Sequence, residues 1–123
     1  MGLFHYLLIV GMKEKMAENE IEKFFLENQY TIVEKKAHWI SLIQENIEVL
    51  ITKDGNFSIR TKLQNDASVL DSMIEIIKEF AETMKKEIAV YDYQFKKVYN
   101  TSNLHEMKKY YLERQESLRE YFY

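Results

Sequence analysis

The segment IAVYDYQFKKVYN, residues 88–100, places an acid and an amide inside a run of strand-forming residues. Asp92 and Gln94 are therefore the first candidates for catalysis, for turn formation or for partner recognition, since both types are poor β formers. The composition favours a strand that ends near Asp92, a turn over about 92–97, and a short strand that ends at Tyr99. In such a turn the Asp92 carboxylate accepts backbone N–H bonds, which is a structural role. The alternative is that the turn and its aromatic residues form a binding edge.

The three histidines are the other residues that could transfer protons or bind a metal. His105-Glu106 lacks the second histidine of a helical zinc site, and no spacing connects His5 with His38. Acidic residues alternate with lysines, so no carboxyl pair stands in the apolar setting that acid–base catalysis requires. The isolated glycines form neither a phosphate-binding loop nor a Gly-x-Ser-x-Gly turn. We therefore expect no catalytic residue, no metal site and no cofactor, and hence a protein that is not an enzyme.

The composition is that of one globular domain spanning residues 1–123. Hydrophobic residues make up 46% and charged residues 30%, with no proline and three glycines. The net charge is −3, and lysine and glutamate are mixed throughout, so the basic surface needed for nucleic-acid binding is not expected. The lack of cysteine excludes disulfides, a thiol nucleophile and a thiolate zinc site. It also suits a reducing cytoplasm.

The N-terminal run LFHYLLIVG, residues 3–11, is apolar enough to be tested as a targeting segment. It is too short to span a bilayer, and it lacks the basic start and small-residue cleavage site of a signal peptide. Tyr6 stands where a myristoylation motif beginning at Gly2 requires Ser or Thr. We therefore expect a buried central strand that Gly11 ends, a cytoplasmic protein and no membrane partner.

Hydrophobic spacing predicts the remaining elements. Apolar residues three and four apart predict amphipathic helices over about 13–28, over about 66–86 and from about 103 to the C-terminus. Alternation between the first two helices predicts an antiparallel meander of four strands, 31–36, 38–44, 48–53 and 57–63. The Asp54-Gly55 turn joins the last two of these strands. The predicted order is β-α-β-β-β-β-α-β(β)-α, an α+β domain with a mostly antiparallel sheet and helices packed on one face.

Polar residues mark where the second and third helices begin. Asp66 or Ser68 is expected to cap the second helix, and Ser68-x-x-Asp71 resembles a capping box. Asn103-x-x-Glu106 is a similar motif at the start of the third helix.

The last helix carries a stripe of large apolar residues, Leu104, Met107, Tyr111, Leu118 and Phe122, with further tyrosines beside it. Packing on the sheet explains this stripe. The alternative is a partly exposed aromatic surface, since tyrosine is enriched at interface hot spots. We expect the terminal Tyr-Phe-Tyr to dock on this chain, on a second copy in a homodimer through this helix, or on a partner.

The segment 88–100 also resembles a Tyr-Asp-Pro-Gln-x-Gly-Lys strand and turn found in several families of small α+β bacterial proteins. The matching residues are Tyr91, Asp92, Gln94, Lys97, Val98 and Tyr99. Tyr93 replaces the proline and Lys96 replaces the glycine of that pattern. The preceding helix and hairpin fit as well, so the resemblance covers about the second half of the chain. Some of these families are immunity proteins that neutralise a toxin, and the resemblance implies a similar role.

The leading hypothesis is a non-enzymatic protein-binding module, an immunity-type inhibitor that occludes the active site of a cognate toxin. Its slight acidic excess would steer it towards a basic toxin. The predicted contact residues are Tyr91, Asp92, Tyr93, Gln94, Tyr111, Tyr121, Phe122 and Tyr123. One alternative is a small-ligand-binding or sensory α+β domain with a pocket near Trp39 and Met73. Another is a phage-encoded antagonist of a host protein.

Overall fold

The computed structural model describes residues 5–63 and 65–119, and within them it confirms the predicted α+β fold and order of elements. The strands are β1 (His5–Met12), β2 (Thr31–Lys35), β3 (Trp39–Gln44), β4 (Ile47–Thr52), β5 (Phe57–Lys62), β6 (Ile88–Asp92) and β7 (Lys97–Tyr99). The helices are α1 (Glu18–Glu27), α2 (Ser68–Met84) and α3 (Met107–Ser117), the last preceded by a 3₁₀-helix, Leu104–Glu106.

The seven strands form a single antiparallel sheet in the order β2-β3-β4-β5-β1-β6-β7. Strand β1 lies between β5 and β6, which confirms that the apolar N-terminal run forms a central strand. Strands β2 to β5 form the predicted meander. The chain then crosses over through α2 and returns as β6 on the far side of β1.

One face of the sheet is covered and the other is not. In β1, Tyr6, Leu8 and Val10 are fully buried, whereas the alternate residues Leu7 and Ile9 are only half-buried. The same period-two pattern appears in β4, β5 and β6, as expected for antiparallel strands with one face on the core. The buried apolar side chains of all three helices belong to one hydrophobic core cluster together with those of the sheet. The helices therefore pack on one face, and the described residues leave the opposite face uncovered.

The core between the helices and the sheet is built on aromatic rings. Phe57 from β5 meets Phe25 from α1 at 5.1 Å and Phe80 from α2 at 4.9 Å between ring centroids. Both contacts are edge-to-face, the favoured arrangement for aromatic quadrupoles. Burying each such side chain contributes about 1.5–3 kcal/mol. Residue spacing predicts a buried stripe on α2 made of Leu70, Met73, Ile74, Ile77, Phe80, Ala81 and Met84. The stripe is confirmed, because all of these residues are buried except Met84, which is half-buried.

Helix α1 begins at Glu18, five residues later than the sequence predicted at Lys13. The spacing of apolar residues in the predicted helix puts Ala17 on its buried stripe with Ile21, but Ala17 is exposed and extended. The physical reason is a tertiary contact. Met16 is buried, and its carbonyl oxygen lies so close to Gly55 that an added Cβ would come within 2.6 Å of it. The segment before α1 therefore packs against the β4–β5 turn in an extended conformation.

Neither predicted capping box forms. At α2 the Asp66 Oδ1 accepts the backbone N–H of Ser68 at 2.8 Å, so Asp66 closes the first turn. Before α3, the Asn103 Oδ1 accepts the backbone N–H of Asn100 at 2.7 Å, and the Asn100 Oδ1 accepts the backbone N–H of Asn103 at 3.1 Å. These side chains organise the loop, not the helix end.

Candidate functional site

Asp92 holds the turn between β6 and β7, as the sequence predicted. Its side chain is fully buried, and its Oδ1 accepts the backbone N–H of Phe95 at 3.0 Å. Its Oδ2 accepts a hydrogen bond from the hydroxyl of Tyr6. Burial, reinforced by this bond to Asp92, raises the pKa of the Tyr6 hydroxyl far above its ordinary value. Tyr6 therefore remains a neutral donor to the buried carboxylate.

Gln94 attaches the same turn to the central strand. Its Oε1 accepts the backbone N–H of Leu7 at 3.0 Å, while the backbone N–H of Tyr93 donates to the Leu7 carbonyl at 3.2 Å. The turn closes at Lys96, whose φ of 53° is left-handed. Glycine adopts this conformation most readily, and the resembled pattern has glycine at this position. Asp92 and Gln94 are therefore positioning residues for the turn.

The turn presents an aromatic residue on the uncovered face of the sheet. Tyr93 is 59% exposed and Val98 is 64% exposed. Tyr91 is half-buried between Val98 of β7 and Ile9 of β1, its register partners on either side. Leu7 lies beside Tyr93 and is also half-buried. These five residues form one continuous apolar area, which we call the open-face patch.

Two of the predicted contact residues are buried, and this corrects the prediction. Asp92 is enclosed as described above. Tyr111 is fully buried, and its hydroxyl donates to the Asn65 carbonyl at 2.7 Å. Its ring meets that of Tyr6 edge-to-face at 5.2 Å. Burial raises the pKa of Tyr111 to about 12. Tyr111 therefore anchors α3 to the sheet and presents no surface to a partner.

The rest of the C-terminal stripe has two outcomes. Leu104, Met107 and Leu118 are buried, which confirms that this stripe packs on the domain. The predicted contact residues Tyr121, Phe122 and Tyr123 lie outside the described residues. Of the eight predicted contact residues, the structure therefore brings Tyr91, Tyr93 and Gln94 together at the surface, with Asp92 beneath them.

Sequence reasoning missed the lysines that surround this turn. The ring of Tyr110 in α3 lies 5.2 Å from that of Phe95. The Nζ of Lys97 lies over the same Tyr110 ring at 4.8 Å from the centroid, and that of Lys109 lies at 5.8 Å. No pattern of residue spacing predicts these contacts, because the turn and α3 come together only when the chain folds. The sequence analysis also did not predict that Leu7 and Ile9 would lie on an uncovered face. The signal was that the first strand carries apolar residues on both of its faces.

Trp39 and Met73, which were expected near one ligand pocket, lie on opposite sides of the sheet. Met73 is fully buried beneath α2. Trp39 alternates with the buried Ile40 and lies on the uncovered face. The sheet therefore separates the two side chains, and they cannot line one pocket.

The described residues contain no group of three or more His, Cys, Asp or Glu side chains placed to hold a metal ion. Within the same ranges no helix combines the length and apolarity needed to cross a membrane. Comparison with protein-family models, curated proteins and solved structures found no match to this chain.

Proposed function

We propose that this chain is a non-enzymatic protein-binding module, an immunity-type inhibitor that neutralises a cognate bacterial toxin in the cytoplasm by covering its active site. The open-face patch is the observation that carries the proposal. It places the exposed side chains of Tyr93 and Val98 over a half-buried apolar floor, on a sheet face that no described helix covers. Contiguous apolar surface of this kind marks interaction sites.

The patch has the composition of an interface hot spot. Tyr91 and Tyr93 can each bury a large apolar ring and still offer a hydroxyl to a partner. The ring of Tyr93 is 59% exposed, and it makes no stacking contact with any described aromatic residue. A protein partner would supply the missing contact.

The turn that presents the patch is also held by hydrogen bonds within the domain. The bonds from Phe95 to Asp92 and from Leu7 to Gln94 fix the turn on two sides. A preorganised contact residue loses less conformational entropy on binding, which leaves more of the contact energy as affinity. This geometry supports a tight inhibitor better than a loose, adaptable binding loop.

The proposal is tested by capture on the full tagged chain from a lysate of the source organism, at low and high salt, followed by activity assays of the retained protein. We expect a stoichiometric partner whose activity falls as this chain is added. A retained protein that keeps full activity contradicts inhibition. If this chain is encoded by a phage and the retained protein belongs to its host, the chain is an antagonist of that host protein and acts through the same surface.

A matched pair of variants connects the partner to the open-face patch. Tyr93→Ala should weaken binding by about 2 kcal/mol or more, the loss typical of a hot-spot residue. Val33→Ala is the control, because Val33 is 63% exposed but lies in β2 at the opposite edge of the sheet. Both residues are exposed, so both variants should fold. Equal affinity of Tyr93→Ala and wild type would place the interface elsewhere.

A further inference from the structure

The two edges of the sheet differ in how open they are to a further strand. Edge strand β2 carries a register irregularity between Ile32 and Glu34. Beside it, Lys36 pairs with Glu34 at 3.2 Å. A bulge of this kind obstructs strand addition. Edge strand β7 pairs in continuous register with β6, and no other described strand lies on its outer side.

The two sides of β7 differ in chemistry. Val98 pairs with Tyr91 and contributes to the open-face patch. Lys97 pairs with the buried Asp92, so it leaves the strand on the helix side, where its Nζ lies over the Tyr110 ring. Lys109 reaches the same ring from α3. The edge therefore offers an apolar side and a basic side.

The basic side of β7 carries three lysines without an acidic partner. Lys96, Lys97 and Lys109 are exposed, and none forms an ion pair with any described residue. Nearby carboxylates are Asp92, which is buried and bonded to Tyr6, and the exposed Glu106 and Glu113, which lie on either side of Lys109 in the chain. The chain as a whole has a net charge of −3, but the ammonium groups of these lysines are available to an acidic ligand. These lysines would attract an acidic segment, not the basic partner expected from the net charge.

On the basis of the proposed function, we infer that β7 receives an acidic, extended segment of the protein partner, which joins the sheet as a further strand. Side chains of an added strand alternate between the two faces. An apolar side chain of the segment therefore contacts Val98 and Tyr91. Its acidic neighbours reach the ammonium groups of Lys97 and Lys109.

A second copy of the chain fits this edge poorly. Antiparallel pairing of two β7 strands about Val98 would place Lys97 of each copy opposite Tyr99 of the other and would gather the lysines of both copies on one short edge. Like charges at an interface disfavour the pairing and exclude wrong partners. The lysines that attract an acidic strand thus also prevent self-association through this edge.

Amide spectra of the isotope-labelled full chain test the inference with synthetic peptides. One peptide alternates glutamate and valine, and its match alternates lysine and valine. We expect the glutamate peptide to shift the amides of Lys97–Tyr99 and to lose affinity as salt is added. The lysine peptide should leave these amides unchanged. Shifts confined to β2, or equal binding of the two peptides, would overturn the inference.

Charge reversal provides the matched variants. The double substitution Lys97→Glu and Lys109→Glu should weaken the glutamate peptide by about tenfold, since each change turns an attraction into a repulsion. Lys23→Glu is the control, because Lys23 is exposed on α1, which packs near β2 and β4 away from β7. An affinity unchanged by the double substitution counts against the acidic strand.

The inference and the proposed function can fail separately. If Tyr93→Ala abolishes partner capture while the glutamate peptide does not bind, the protein-binding function stands and the acidic strand is wrong. If the peptide binds at β7 while the captured protein keeps full activity, the inference of an added acidic strand is supported and the proposed inhibition is wrong.

Discussion

The hydroxyl of Tyr6 donates a hydrogen bond to the carboxylate of Asp92, and both side chains are fully buried. The two residues lie 86 positions apart in the chain, one in the central strand and one at the end of β6. The second oxygen of Asp92 accepts the N–H of Phe95 at 3.0 Å. A buried carboxylate is tolerated only when such bonds replace its hydration. The turn that presents Tyr93 is therefore supported by the core.

Tyr6→Phe should lower the free energy of unfolding by about 2–3 kcal/mol, because it leaves a buried Asp92 oxygen without its donor. Urea denaturation followed by circular dichroism measures the loss. Tyr30→Phe is the matched control, since Tyr30 is 4% exposed and its hydroxyl makes no hydrogen bond with a described residue. It should cost less than about 1 kcal/mol. Equal losses in the two variants would mean that the Asp92 bond contributes nothing specific.

Alkaline pH should destabilise the fold through its buried tyrosines. Burial raises the pKa of Tyr30 and of Tyr111 to about 12, and it raises those of Tyr6 and Tyr99 as well. The folded state therefore holds these protons more tightly than the unfolded state, in which tyrosine titrates near 10.0. This stabilisation is complete below pH 10 and is lost as the pH rises through the folded pKa values. Near-ultraviolet absorbance and circular dichroism, recorded together, should show these tyrosines ionising only as the protein unfolds. Ionisation of every tyrosine near pH 10 in a folded protein would contradict this.

Gly55→Ala should destabilise the protein by at least about 2 kcal/mol. Gly55 has a φ of +87°, and an added Cβ would lie 2.6 Å from the carbonyl oxygen of Met16. Strain from the left-handed backbone and the clash add together. Gly11→Ala is the control, because its nearest new neighbour, Asn56 Oδ1, is 3.9 Å away. Thermal unfolding should show a lower melting temperature for Gly55→Ala but not for Gly11→Ala. An equal decrease in melting temperature in both variants would argue against the contact between position 55 and the Met16 carbonyl oxygen.

Gln94→Ala should loosen the β6–β7 turn by about 1 kcal/mol, because the backbone N–H of Leu7 loses its acceptor. Faster hydrogen exchange of the Leu7 amide is the direct measurement. Weaker partner binding should follow, since the turn no longer holds Tyr93 as firmly. Gln94→Glu keeps an acceptor oxygen and should retain both properties. Unchanged exchange in Gln94→Ala would show that this bond does not hold the turn.

Local chemistry predicted the elements well and their ends less well. The strand break at Asp92 was readable because an acid and an amide do not suit a strand interior, and the turn indeed lies there. The Asp54-Gly55 turn was readable because only glycine readily accepts its positive φ. The start of α1 was wrong, because Met16 packs on the β4–β5 turn far along the chain. Local helix periodicity contains no information about that contact.

The predicted contact residues differ in where the structure places them. Tyr93 is exposed and Tyr91 is half-buried on the uncovered face of the sheet. Asp92 and Tyr111 were taken for contact residues, yet they are buried and bonded within the domain. A polar side chain looks the same in sequence whether it faces a partner or satisfies a buried group.

The sequence by itself determined the order of helices and strands, the turn at Asp92 and the single buried stripe of α2, because residue spacing and turn chemistry act over a few residues. Only the tertiary structure decided which face of β1 is covered, since Leu7 and Ile9 are as apolar as Tyr6 and Leu8. Only the tertiary structure places Lys97 of β7 and Lys109 of α3 over the same Tyr110 ring. Those contacts join residues far apart in the chain, and their energies arise only when the sheet and helices pack together.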